Sequence, residues 1–149
     1  MLNEFGRLNF TILPSSHIGS PRHEFGKFQD SMSILQHYGK PSVFVTMTCS
    51  PKWPEIVNEL LPGQTSTDRP DLCARVFKLK HDKLMKLLTV DGVLGKVKAH
   101  VNVIEFQKRG LPHSHILLTF VDEDKPIDSD DVDSMVCAEI PDRSIDPEL

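Results

Sequence analysis

The spacing of apolar residues changes several times along this chain, and each change predicts an element. Phe28, Met32, Leu35 and Tyr38 recur at helical spacing before Gly39 and Pro41, which predicts a helix over residues 27 to 38 behind a loop. "SVFVTMT" is β-branched and apolar without a breaker, as in a strand covered on both faces or nearly so. A short helix over residues 55 to 61 follows Pro51 and ends at Pro62 and Gly63. The longest periodic segment runs from Asp68 and Pro70 to Gly92, with Cys73, Phe77, Leu84, Leu87 and Leu88 as its apolar stripe. Lys78, Lys80, Lys83 and Lys86 lie off that stripe. They read first as a solvated face, with contact to a polyanion as the alternative.

Two apolar runs, "KAHVNVIEF" and "HSHILLTFV", are joined by "QKRGLP". Their closeness and Gly110 predict an antiparallel hairpin. Side chains alternate across a strand, so His113 and His115 share one face while Ser114 takes the other. A loop of three or five residues centred on Arg109 pairs positions whose numbers sum to 218. Glu105 then faces His113 and Val103 faces His115, with directly opposed Cβ atoms ~4.5 to 5.5 Å apart. A two-residue loop would pair Phe106 with His113 and turn Glu105 away. Under the first register one carboxylate and two imidazoles converge, a donor set suited to Mg2+ or Mn2+ with positions open for phosphate oxygens. His17, His23, His37, His81 and His100 are scattered and read as solvent or core histidines.

Composition alters this picture in two places. The chain has 149 residues, enough for one domain with a real core and too few for a large (β/α)8 barrel. Its net charge of −4 conceals a division: residues 1–120 hold 15 basic and 10 acidic residues, a net of +5, while residues 121–149 hold 2 and 11, a net of −9. A basic body with an acidic continuation, which holds one short helix near residues 129 to 137, keeps nucleic acid among the partners. Three separated cysteines, Cys49, Cys73 and Cys137, offer neither a disulfide framework nor a zinc knuckle. No run reaches the ~20 apolar residues of a membrane span, and the N-terminus does not read as a secretory signal, so an intracellular protein is expected.

From about Leu13 onward the chain resembles the Helitron helicase-like N-terminal domain, the replication-initiator endonuclease part of rolling-circle Helitron transposases. The likeness is carried by "IGSPRHEFGKFQDSMSILQHYGKPSVFVTMTCSPKWPEI", "DRPDLCARVFKLKHDKL", "GKVKAHVNVIEFQKRGLPHSHILL" and "AEIPD". "EFQKRGLPHSHILL" resembles the family's His-hydrophobe-His metal motif with its lead-in, and "FVTMTCSP" its first motif, where Asn is usual at the position of Ser50. The resemblance implies an α+β fold of the two-histidine nuclease kind, with a central antiparallel sheet of about five strands and helices packed on it. It implies single-stranded DNA as partner, Mg2+ or Mn2+ as cofactor, and His113 and His115 as ligands; Glu105 is the geometric choice for the third. Thr46, Thr48, Lys98, Lys108, Arg109 and Trp53 are the expected DNA contacts, the basic residues through phosphates and Trp53 through stacking, although a single Trp flanked by prolines is more often a packing anchor. A helicase domain of the same polypeptide and a nuclear location also follow from it.

In that family a tyrosine on a helix downstream of the His motif attacks the phosphate and forms a 5' phosphotyrosyl link. The single tyrosine here, Tyr38, lies upstream at a helix end. The chain therefore reads as a fragment with the metal half of a nuclease and no catalytic nucleophile. Residues 1–120 form the nuclease core in this view and residues 121–149 a continuation cut off in mid-domain. Two other readings stay open: a nucleic-acid-binding module without chemistry, and a cupin-type metal enzyme. The latter wants a Glu a few residues after the second His, where Thr119 and Phe120 stand.

Overall fold

The structure is a computed structural model that describes residues 13–107 and 110–136. The chain divides after Lys40 into two compact units. The first contains α1 (Pro21–Tyr38). Its start is earlier than the apolar spacing predicts because Ser20 caps it: the hydroxyl accepts the His23 N–H at 3.2 Å and Pro21 occupies the first turn. Gly39, at φ +86°, ends it by donating its N–H to the Leu35 carbonyl at 2.9 Å.

The second unit is α+β. Its elements run β1 (Val43–Thr48), α2 (Pro54–Val57), α3 (Pro70–Thr89), β2 (Val97–Phe106), β3 (Pro112–Phe120) and α4 (Ser129–Met135), with short 3-10 turns after α2 and β3. The strands form one antiparallel sheet in the order β1-β3-β2. Three strands are present among the described residues; about five is the number the resemblance implies for the whole family domain. α2 is a single turn and stops short of residue 61: Asn58 still donates to the Pro54 carbonyl at 3.0 Å, but Glu59 and Leu60 reach back only three residues, to Ile56 and Val57.

The sheet has two unlike faces. On β3, Pro112, Ser114, Ile116, Leu118 and Phe120 are buried, whereas His113, His115 and Leu117 are half-buried. β1 alternates in step: Phe44, Thr46 and Thr48 are exposed and Val43, Val45 and Met47 turn inward. The expectation of a strand covered on both faces is thus corrected. Thr at alternate positions marked the open side, which β-branching alone does not distinguish from a buried one.

α3 covers the inward face and divides its core into two clusters. The first half of the helix contributes Leu72, Cys73, Val76 and Phe77 to a group with Cys49 and Ile56. The second half sets Leu88, with Leu84 and Met85 behind it, against Ile116, Leu118 and Phe120. Of the expected stripe, Cys73, Phe77 and Leu88 are buried and Leu84 packs on the core, while Leu87 is 36% exposed; His81 is a core histidine. The position of His81 follows from a polar partner on the sheet.

Candidate metal and nucleic-acid site

A five-residue connection, residues 107–111, closes the β2–β3 hairpin. Gly110, at φ +73°, donates to the Gln107 carbonyl at 2.8 Å, and Gln107 donates to Leu111 at 3.0 Å. This loop sets the register: Glu105 pairs with His113, Val103 with His115 and Phe106 with Pro112, as the sum of 218 requires. From the other side β1 sets Thr48 opposite His113 and Thr46 opposite His115. Five of the expected site residues, Thr46, Thr48, Glu105, His113 and His115, therefore share one face of the sheet.

Their side chains meet in pairs. Thr48 Oγ1 lies 2.7 Å from His113 Nδ1, so one ring nitrogen is engaged and Nε2 is left for another ligand. His115 Nε2 lies 3.6 Å from Glu105 Oε2. The two imidazoles stand edge to face with centroids 4.5 Å apart, and Phe44 stacks parallel to His115 at 5.6 Å. Two imidazole nitrogens and a carboxylate are a reasonable donor set for a divalent cation. As the rotamers stand, no group of three His, Cys, Asp or Glu side chains arranged to hold a metal ion occurs among the described residues. Glu105 reaches only the His115 ring, and its side chain is 63% exposed.

The remaining expected contacts lie elsewhere. Lys98 is seven residues from Glu105 along β2, ~23 Å at strand rise, and pairs with Asp122 at 3.3 Å. Lys125 and then Lys98 hold the Asp122 carboxyl below its usual range. Trp53 packs against the inward-face cluster and carries the Lys80 ammonium 5.1 Å from its ring centroid. Lys80 in turn pairs with Glu55 at 2.7 Å, so it belongs to local packing rather than to a free basic stripe. Lys108, Arg109 and Cys137 lie outside the described residues. Tyr38 sits in the other unit, edge-on to His37 at 4.6 Å.

Directly behind the histidines is a polar group that the sequence reading passed over. Ser114, fully buried, donates to Asn102 Oδ1 at 2.7 Å; Asn102 Nδ2 donates to His81 Nε2 at 3.0 Å. With Nε2 accepting, the His81 proton sits on Nδ1, toward Asp82 Oδ1 at 3.9 Å. Ser114 Oγ is also 3.1 Å from His81 Nε2. This resembles a nucleophile with its base, but a serine of zero exposure meets no substrate, and its hydroxyl proton is spent on Asn102. Its work is to tie the centre of β3 to α3, between the two apolar clusters. The signal was legible in principle: a serine at the inward position of an apolar strand needs a partner.

The sequence profile of a family described as "Helitron helicase-like domain at N-terminus" matches residues 4–118. No curated protein matches the chain. The matched span takes in α1, the whole site and all but the last residues of β3.

Proposed function

Because the chain belongs to the Helitron helicase-like N-terminal family, we propose that its sheet face binds a divalent cation and a phosphate of single-stranded DNA, as the metal half of a two-histidine nicking site. The observation that carries this reading is the register, which aligns Glu105 with His113 and sets Thr48, His113, His115 and Glu105 on one accessible face. His113 Nε2 and His115 Nε2 would hold Mg2+ or Mn2+, with Glu105 swinging from His115 to complete the set. The bound cation supplies charge to polarise a phosphoryl oxygen. Thr48 would hold His113 in the tautomer that presents Nε2, the usual task of a group bonded to the far nitrogen of a ligating imidazole. Thr46, on the same face of β1, would meet the strand's backbone. Nicking needs a nucleophile, and we assign none among the residues of this face.

Isothermal titration with Mn2+, paired with anisotropy of a labelled single strand, tests the reading. Binding of the strand should need Mn2+, be reversed by EDTA and be lost in His113→Ala and His115→Ala. The side-chain arrangement, with Glu105 on one ring only, favours one rival: a nucleic-acid module without metal. Affinity indifferent to EDTA and to both substitutions would select that rival. No covalent protein–DNA adduct should form with this chain and Mn2+; an adduct would give Tyr38 or another residue a nucleophile's role.

A further inference from the structure

Phe44 is the one large aromatic side chain on the histidine face of the sheet among the described residues, and it is 59% exposed. Exposure alone does not set it apart, since Phe25, Phe28 and Phe106 are as exposed; its position on the histidine face does. One contact is already fixed. Its plane is within 2° of the His115 ring with centroids 5.6 Å apart, an offset stack of the ordinary kind. His115 uses its Nε2 edge toward Glu105 and its flank toward Phe44, so metal ligation and stacking do not compete. On the same face Thr46 stands beside it on β1, Leu117 is opposite it on β3, and Val101 lies beyond Leu117 on β2; the ring keeps its exposure among them. Phe44 lies on β1, an edge strand of the sheet, at the side away from Glu105.

We propose that Phe44 is a nucleobase platform: a base of the single strand whose phosphate is held at His113 and His115 stacks on its exposed ring. The proposal rests on the phosphate-binding reading above and adds what that reading lacks, a place for a base. Aromatic–base stacking tolerates any base, so the platform adds affinity and fixes the strand's path over the sheet without reading sequence. Trp53, the aromatic singled out by sequence, is not that platform: it is half-buried in the inward-face cluster and lies under Lys80.

The test compares wild type, Phe44→Ala, Phe44→Leu and Phe44→Trp of the full chain, by anisotropy with a short single-stranded oligodeoxynucleotide and Mn2+, and with the same backbone made abasic. Loss of one stack should weaken binding about 5- to 100-fold in Phe44→Ala and Phe44→Leu, and Phe44→Trp should keep it. Wild type should bind the abasic strand as weakly as the alanine variant does, with no further loss on substitution. Circular dichroism checks that each variant is folded; Phe44→Leu keeps most of the apolar bulk and carries the test should alanine unfold the chain. Unchanged affinity in Phe44→Leu, alongside loss in His113→Ala, would overturn the platform and leave the metal site standing. Absence of any Mn2+-dependent binding by wild type would overturn both.

Discussion

At the scale of single residues, the site depends on which nitrogen of each imidazole is free. Thr48 occupies His113 Nδ1 at 2.7 Å, and removing that hydroxyl frees the ring to turn. Thr48→Val should weaken Mn2+ binding about 10-fold, as loss of such supporting bonds does elsewhere, with little change in thermal stability; calorimetric titration beside a melting curve separates the two. Ser114, one residue from each histidine, should behave in the opposite way. Ser114→Ala leaves Asn102 Oδ1 short of a donor, and we expect a loss of ~1 to 3 kcal/mol in urea unfolding with Mn2+ affinity in the folded fraction unchanged.

At the scale of elements, the hairpin loop determines which side chains face one another across β2 and β3. Gly110 at φ +73° has open space around a would-be Cβ, so Gly110→Ala meets no clash and pays only for the left-handed backbone. That should cost ~1 to 2 kcal/mol, read as a lower melting temperature, while the register and Mn2+ affinity persist. This register was legible in sequence because two alternating runs and a Gly-bearing joint leave few ways to pair, and the odd-numbered loop selects Glu105 for His113. The helix face was less legible. Cys73, Phe77 and Leu88 keep their expected inward places and Leu87 does not, because hydrophobicity draws the stripe while the buried His81, bonded to Asn102 that Ser114 in turn holds, takes part of the inward face. Lys98 reads as basic and near the motif, yet linear nearness along a strand is distance in space, and Asp122 is its partner.

At the scale of the molecule, the core that backs the site contains two thiols. Burial, then the neighbouring Cys73, pushes the Cys49 thiol up from about 9 to about 11. Between those values the unfolded chain gives up this proton first, so the stability it contributes is complete below about pH 9 and lost as pH rises through about 11. Unfolding in urea at pH 8 and at pH 11 should show wild type losing ~2 kcal/mol more than Cys49→Ala. The charge division also belongs to this scale. With the basic excess confined to residues 1–120, affinity for a single strand should fall as salt rises, with a log–log slope of about −0.7 per phosphate neutralised. Among the described residues no helix is long and apolar enough to cross a membrane.

From Pro112 to Leu118, β3 alternates at each step, one residue turned to the buried side and the next left partly open. Selection on folding therefore samples one set of these positions, and selection on the binding proposed above would sample the other. A lineage could replace both imidazoles and still produce a well-formed domain, so sound architecture in any descendant is no warrant that the chemistry survives in it.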